Sequence, residues 1–209
     1  MVLDIDAMLG RALTEGAEHA HGHRDYVVQA VPVGDVVLPT GRVVGCDPLF
    51  VAGAAEPFTV TVAPGRFALR GWVAVEHVDG TEIDRRTAAL QLIIRDEPVA
   101  RWEPALLPGQ EVTALDENEF FAHPVDTRTS TLADETALTG LTKWNYERVE
   151  AVFVPFQTPT APAALGAVTD TATGANVIAV SADNGSYPTF IGYTAAEEVA
   201  CFVTAFLLN

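Results

Sequence analysis

Basic residues are scarce in this chain, and their scarcity limits the partners it can bind. The 209 residues include a single lysine, Lys143, and eleven arginines against 28 acidic residues, which gives a net charge of −16. Nucleic acids and anionic membrane surfaces are themselves negatively charged, so neither is a predicted partner. A basic protein or a cation is favoured instead, and the alternative interpretation is that the acidity serves solubility alone.

Cysteine is also rare, with only Cys46 and Cys201 in the chain. No basic start is followed by an apolar run of about 7–15 residues, so the sequence predicts no signal peptide. No stretch of about 18 apolar residues is available to span a bilayer. We therefore expect a cytoplasmic protein with two reduced, buried thiols. A disulfide between Cys46 and Cys201 is the alternative.

Motifs of covalent catalysis and nucleotide binding are missing as well. Neither Cys46 nor Ser181 lies in a Gly-x-Ser-x-Gly nucleophile elbow. No Gly-x-Gly-x-x-Gly opens a helix, and no Gly-Lys-Ser/Thr is present to cradle a phosphate. The sequence thus predicts neither a nucleophilic triad nor a dinucleotide or P-loop site.

Short β-forming runs separated by Pro, Gly and Asp make up most of the chain. Asp79-Gly80 is the strongest hairpin motif, with a long strand on either side and a bulge expected near Arg85-Arg86. Further strands are expected over 42–46, 58–62, 149–156, 176–181, 187–193 and 199–208, and a surface loop over 157–174. The strand over 199–208 is apolar on both faces, which predicts a central position in a sheet.

Helical spacing of apolar residues appears at two places. Residues 3–20 are predicted as a helix that ends in the His19–His23 run, and a second helix is expected near mid-chain with Thr131 as its N-cap. The predicted fold class is mainly β with a minor α+β character: a β-sandwich or open curled barrel of antiparallel strands with these two helices. We expect residues 1–24 to form an N-terminal helix and His-containing linker, and residues 25–209 a single mostly-β domain.

Two turn-rich segments carry a resemblance to a known family. They run from Leu38 to Pro48, through Gly41, Gly45 and Asp47-Pro48, and from Gly174 to Pro188, through Gly-Ala-Asn and Tyr187-Pro188. In their order along the chain they resemble the bacterial domain-of-unknown-function 4241 family. The resemblance implies no known activity, but it implies a neighbourhood of toxin and immunity genes for some members.

Acidic residues on turn-like segments are the candidate site. Asp47, Asp126, Asp134 and Asp183 all lie in segments that share the resemblance, and Asn184 lies beside them. Converging carboxylates bind Mg²⁺ or Ca²⁺ or act as an acid–base pair. Asp is equally an ordinary turn residue that caps backbone N–H groups. The run of His19, His21 and His23 has the same two interpretations, as a weak metal site or as a solvated tract.

The leading functional prediction is a non-enzymatic cytoplasmic binding protein, of immunity type, that binds a partner protein, which its acidity suggests is basic. No cofactor is predicted apart from a divalent cation in the alternative hypothesis. That alternative is a carboxylate-based, metal-dependent hydrolase that uses Asp47, Asp126 and Asp134, with Asn184 as a further catalytic candidate and Asp183 as a further metal ligand. The sequence predicts no oligomeric state.

Overall fold

The computed structural model describes residues 5–21, 24–50, 56–116, 119–153 and 161–206. Strands dominate these residues, which confirms the predicted mainly β fold. The helices and strands in chain order are α1 (Ile5–Ala12), β1 (Glu18–His21), β2 (Arg24–Leu38), β3 (Val43–Cys46), β4 (Gly65–Val78), β5 (Thr81–Ile93), β6 (Arg101–Pro104), β7 (His123–Val125), β8 (Thr129–Asp134), α2 (Glu135–Leu141), α3 (Tyr146–Phe153), β9 (Ala164–Asp170), β10 (Ala175–Ser181), β11 (Gly185–Tyr187), β12 (Thr189–Tyr193) and β13 (Val199–Ala205).

Two antiparallel sheets, neither closed into a barrel, form the centre of the fold. The larger sheet has the strand order β1-β2-β4-β5-β13-β12-β6, and the smaller has the order β3-β8-β10-β9. β7 and β11 form a separate two-stranded pair. The main core lies between the two sheets and takes side chains from both, including Leu69, Leu92 and Phe202 from the larger sheet and Leu132 and Val180 from the smaller. The architecture is therefore sandwich-like.

Helices cover the outer faces of both sheets. Met8 and Leu9 of α1 are buried against Trp72 and Phe190 of the larger sheet. α2 and α3 pack against the smaller sheet, where their apolar side chains meet alternate residues of β8 and β10. Successive residues of a strand point to opposite faces, so a strand between two layers must be apolar on both sides. β10 and β13 meet this condition and are almost wholly buried.

The predicted hairpin and central strand are confirmed. Asp79 and Gly80 take positive φ values of 51° and 77° between β4 and β5, as a tight two-residue turn requires. β5 skips one residue at Ile83 and another at Ala88 in its pairing with β4. The expected bulge is therefore two bulges, one on each side of Arg85-Arg86. β13 lies between β5 and β12, which is the central position its two-sided hydrophobicity predicts.

The prediction of a helix over 3–20 is wrong beyond Ala12. The chain turns at Gly16, whose φ is 75°, and Gly16 and Val28 are joined by a backbone hydrogen bond of 2.8 Å. That bond aligns the following residues with β2, so His19 and His21 belong to strand β1. His23 lies outside the described residues. Pairing with a long neighbouring strand thus overrides the local helical spacing.

Four further predictions are also wrong. Thr131 lies inside β8, and the N-cap of α2 is Asp134, whose side chain accepts a hydrogen bond from the Thr136 N–H. The strand expected over 149–156 is helix α3 up to Phe153, and residues 154–160 lie outside the described part. The loop expected over 157–174 contains strand β9. The segment over 58–62 forms no strand, only an isolated bridge between Arg42 and Thr61.

Among the described residues, no helix has the length and apolar character needed to cross a membrane.

Candidate functional site

Asp47 is the most heavily hydrogen-bonded carboxylate described in the chain. It follows β3 directly and is only 5% exposed. Its Oδ1 accepts hydrogen bonds from the Leu49 N–H at 3.0 Å, from the Thr127 hydroxyl at 2.6 Å and from the Thr129 hydroxyl at 3.2 Å. Its Oδ2 accepts from the backbone N–H groups of Asp126 and Thr127, at 3.0 and 2.8 Å. One side chain therefore fixes both its own turn and the distant turn between β7 and β8.

Asp134 has a similar role at a different place. Its Oδ2 accepts from the Thr40 N–H and hydroxyl at 3.1 and 2.8 Å, and its Oδ1 accepts from the Thr136 N–H at 2.9 Å. Asp134 and Thr129 are opposite ends of β8, a separation of about 16 Å at the usual rise per residue. Since Asp47 is bonded to Thr129, the two buried carboxylates do not share a site.

The remaining candidates are spread over the surface. Asp126 approaches Asp47 through its backbone N–H, and its own side chain is exposed. Asp183 is exposed and lies 3.7 Å from the Arg128 guanidinium. Asn184 is exposed in the turn before β11. Within the part of the chain that the structure describes, no three His, Cys, Asp or Glu side chains lie together in a way that could hold a metal ion.

Asp47 also forms part of the wall of a cavity of about 360 Å³ beside β3, which we call the β3 pocket. Elements far apart in sequence build it: the end of β3, the segment around Phe58, residues 105–110, β7 and Tyr187. Most of its wall is apolar or aromatic, and among the described residues that line it the charged ones are Asp47 and the exposed Glu56. Phe50, at the end of the short 3₁₀ helix after Asp47, also lines it and is 63% exposed. This volume fits a side chain or a small molecule.

Two titratable groups in the β3 pocket are held in their neutral forms. Burial lowers the pKa of His123 to about 4, and the Asp47 carboxylate offsets this only in part. The His123 Nε2 lies 3.2 Å from the hydroxyl of the fully buried Ser130. Burial, with a smaller contribution from Asp47, raises the pKa of the Cys46 thiol. Cys46 and Cys201 are both free, so the alternative of a disulfide between them is wrong.

The neutral state of His123 predicts a pH-dependent stability. The imidazole has an ordinary pKa near 6.5 when the chain is unfolded, so between about pH 6.5 and 4 the unfolded state binds a proton that the folded state does not. The free energy of unfolding should therefore fall as the pH drops through this window, by up to about 3 kcal/mol. Urea unfolding at several pH values should show that His123→Gln removes this part of the slope.

NMR titration of the imidazole offers a direct check of the same prediction. A folded-state pKa of 6 or above would contradict it, as would identical pH dependence of stability in the wild type and in His123→Gln. The comparison between the two proteins matters because carboxylates also titrate in the lower half of the window and contribute equally to both.

Sequence patterns did not identify the β3 pocket. Asp47 and Tyr187 both lie in the two turn-rich segments that carry the family resemblance. Phe50, Glu56 and His123 carry no local pattern that links them, because the fold brings them together from three separate segments. The one indication in the sequence is general: short strands joined by long connections allow segments that are distant in sequence to lie next to each other.

Comparison with known proteins gives one result. A family model described as "Protein of unknown function (DUF4241)" matches residues 36–204. No curated protein and no solved structure matches the chain. The matched region begins in β2, ends in β13 and includes every strand of the smaller sheet and all the described residues that line the β3 pocket. The chain therefore belongs to the DUF4241 family.

Proposed function

We propose that this protein is a non-enzymatic, cytoplasmic binding protein, and that the β3 pocket receives a positively charged side chain of a protein partner. One observation carries the proposal. The described residues that line the pocket include two carboxylates, Asp47 and Glu56, and no lysine or arginine. An apolar pocket with acidic groups suits a lysine or arginine, whose aliphatic stem packs on the wall while its charged end meets a carboxylate.

The surroundings of the pocket support a macromolecular partner. Phe50 exposes most of its ring at the mouth, and exposed aromatic side chains are frequent anchors of protein interfaces. In the described part of the segment that joins Gln110 to Phe121, both of which line the pocket, Glu111, Asp116 and Glu119 carry exposed carboxylates. A negative rim of this kind accelerates and orients the approach of a basic protein.

The chemistry of the lining residues supports binding over catalysis. The oxygens of Asp47 accept five hydrogen bonds from the protein itself, which leaves them poorly available to a metal ion. A raised pKa keeps Cys46 protonated and therefore unreactive. The hydrolase hypothesis needs Asp47 and Asp134 in one place, but Asp47 is bonded to Thr129 at one end of β8 and Asp134 is at the other end. An immunity-type protein that neutralises a basic toxin is the most specific form of the binding proposal.

The proposal can be tested with displayed peptides because no partner is needed in advance. Short random peptides are selected for binding to the wild-type protein and then measured against Glu56→Lys. We expect the selected peptides to be rich in Lys and Arg and to bind the variant at least about tenfold more weakly, because the substitution places a positive charge at the pocket. Glu15→Lys makes the same change of charge in the exposed turn after α1 and should leave the affinity unchanged.

Two results would refute the proposal. The first is a selection that yields no basic peptides, and the second is equal loss of affinity in Glu56→Lys and Glu15→Lys. Equal loss would mean that peptides sense only the net charge of −16 and not the β3 pocket. Phe50→Ser separates the contribution of the exposed ring and should weaken binding without any change in charge.

A further inference from the structure

A second cavity, of about 280 Å³, opens on another part of the surface and, unlike the β3 pocket, is lined by more basic than acidic residues. Arg85 and Arg86 of β5 line it, together with Arg128 from the turn between β7 and β8 and Ser181 at the end of β10. We propose that this cavity, the arginine pocket, binds a small molecule that carries a phosphate ester. The inference is independent of the binding function assigned to the β3 pocket.

The concentration of positive charge is the first observation. The whole chain has 12 basic residues, and three of them line this one cavity, against two aspartates, Asp84 and Asp183. Guanidinium groups present several N–H donors in a fixed plane and are the usual recognition groups for phosphate. Charges of the acidic surface more than about 8 Å away are screened at physiological salt, so the nearby charges that matter are the three arginines and the two lining aspartates.

The arginines have partners that a ligand can replace. Arg86 pairs with Asp84 at 3.0 Å and Arg128 with Asp183 at 3.7 Å, and all four side chains are about half exposed. Arg85 pairs with the exposed Glu82. Exposed pairs of this kind contribute little to stability, so an arginine can exchange its carboxylate for a phosphate oxygen at small cost.

Ser181 is the second, independent observation. It is 7% exposed, its N–H donates to the Ala163 carbonyl at 3.0 Å, and its own carbonyl accepts from the Thr87 hydroxyl at 2.6 Å. Its Oγ is fully buried and has no hydrogen-bond partner within the described part of the chain. A buried hydroxyl without a partner is unfavourable, and such groups often face a ligand. Ser181 is one of the residues that line the cavity beside the arginines.

The backbone that presents Arg128 is held firmly. Arg128 has a φ of 60°, which is unfavourable for a residue with a side chain, and its carbonyl accepts a hydrogen bond from the Ala182 N–H at 3.0 Å. The Asp47 carboxylate bonds the two preceding residues of the same turn. Asp47 is thus a positioning residue for Arg128, which lowers the entropy that ligand binding would cost.

The geometry favours a phosphate ester over a carboxylate. The arginines belong to two separate segments and Ser181 to a third, so the lining residues surround the cavity from several directions. A tetrahedral phosphate has three terminal oxygens to meet them, whereas a planar carboxylate has two. The cavity volume is near the lower end for ligand sites and suits a small phosphorylated compound.

Calorimetric titration with phenyl phosphate tests the proposal, with phenylacetate as the carboxylate counterpart and sodium chloride holding ionic strength constant. We expect phenyl phosphate to bind and phenylacetate to bind at least about tenfold more weakly. Arg86→Gln and Arg128→Gln should each weaken phenyl phosphate binding by about tenfold or more. Arg148→Gln is the matched control, since Arg148 lies on α3 over the ring of Trp144, and it should bind as the wild type does.

Ser181→Ala separates binding from folding. The change removes a hydroxyl that lacks a partner, so the melting temperature should stay the same or rise while phenyl phosphate binds several-fold more weakly. Absence of phenyl phosphate binding to the wild type would overturn the proposal. Equal binding of the two ligands would overturn the phosphate assignment, and unchanged affinity in both Arg128→Gln and Ser181→Ala would overturn the location. Glu56→Lys should not alter phenyl phosphate binding, which keeps this test distinct from that of the β3 pocket.

Discussion

Replacing Asp47 with alanine is expected to lower the free energy of unfolding by about 2–4 kcal/mol. The carboxylate accepts five hydrogen bonds, and its loss leaves two N–H groups of the β7–β8 turn and the hydroxyl of the buried Thr129 without their acceptor. Water from the β3 pocket can replace some of these bonds, which is why we expect a value below the sum of the separate losses. Urea unfolding at pH 7 measures the effect.

Asp183→Ala is the matched control for Asp47. Asp183 is a family-motif aspartate like Asp47, but it is exposed and paired loosely with Arg128. Its replacement should change the free energy of unfolding by less than about 0.5 kcal/mol. If both variants had the stability of the wild type, the five hydrogen bonds of Asp47 would make no net contribution to the free energy of unfolding. That result would contradict the assignment of Asp47 as a structural cap.

A substitution of Asp47 should also weaken ligand binding in the arginine pocket. The turn that Asp47 fixes carries Arg128, whose φ of 60° needs support from the surrounding structure. Asp47→Asn keeps the size of the side chain but has one acceptor oxygen in place of two. We expect it to weaken phenyl phosphate binding even where the protein remains folded, since the guanidinium would be presented less rigidly.

Local sequence patterns predicted the elements whose cause is local. The tight turn at Asp79-Gly80 needs two residues that tolerate positive φ, and this pair satisfies that need wherever it is flanked by strands. The buried position of β13 follows from its apolar residues on both faces, because only a strand between two layers can bury both. The turn and the burial of β13 each depend on a few adjacent residues, so both can be predicted from the sequence alone.

The elements that were predicted wrongly depend on distant contacts. β1 becomes a strand because β2 offers it an edge, although the preceding residues have helical spacing. β9 is a strand because β10 pairs with six of its seven residues, although Thr, Pro and Gly are frequent around it. α3 contains β-forming Val149, Val152 and Phe153, but these pack together against the smaller sheet at helical spacing. Tertiary pairing decided each case, and no local pattern contains it.

For the candidate site, too, local patterns predicted some features and missed those that depend on distant contacts. Turn motifs were enough to select Asp47 and Asp134 and to suggest capping as one of their two roles. They could not show that Asp47 caps a turn about 80 residues away, nor that Asp134 lies at the other end of β8. The arginine pocket was equally hidden, because Arg128 and Ser181 meet Arg86 only through the packing of the two sheets. The residue types indicate which functional groups are available, and the topology of the fold decides which of them lie together in one site.

Phe202 is expected to be the most sensitive apolar position of the core, and Phe202→Ala should lower the free energy of unfolding by about 3–5 kcal/mol. Its side chain is fully buried at the centre of β13 and stacks on Phe58 with ring centroids 6.1 Å apart. Truncation removes contacts between the two sheets and leaves a cavity that a central strand, paired on both edges, has little freedom to fill. Thermal and urea unfolding measure the loss.

Phe50→Ala removes the same ring from a position where 63% of the residue is exposed, so it should cost less than about 0.5 kcal/mol. A domain of this kind has a free energy of unfolding of only about 5–15 kcal/mol. Phe202→Ala is therefore also expected to lower the melting temperature markedly. Equal stability of the two variants would mean that β13 does not join the two sheets at Phe202. α1 packs on the opposite face of the same strand, so the described core has β13 between α1 and the smaller sheet. Equal stability would therefore also contradict this layered arrangement, which positions the residues of both pockets.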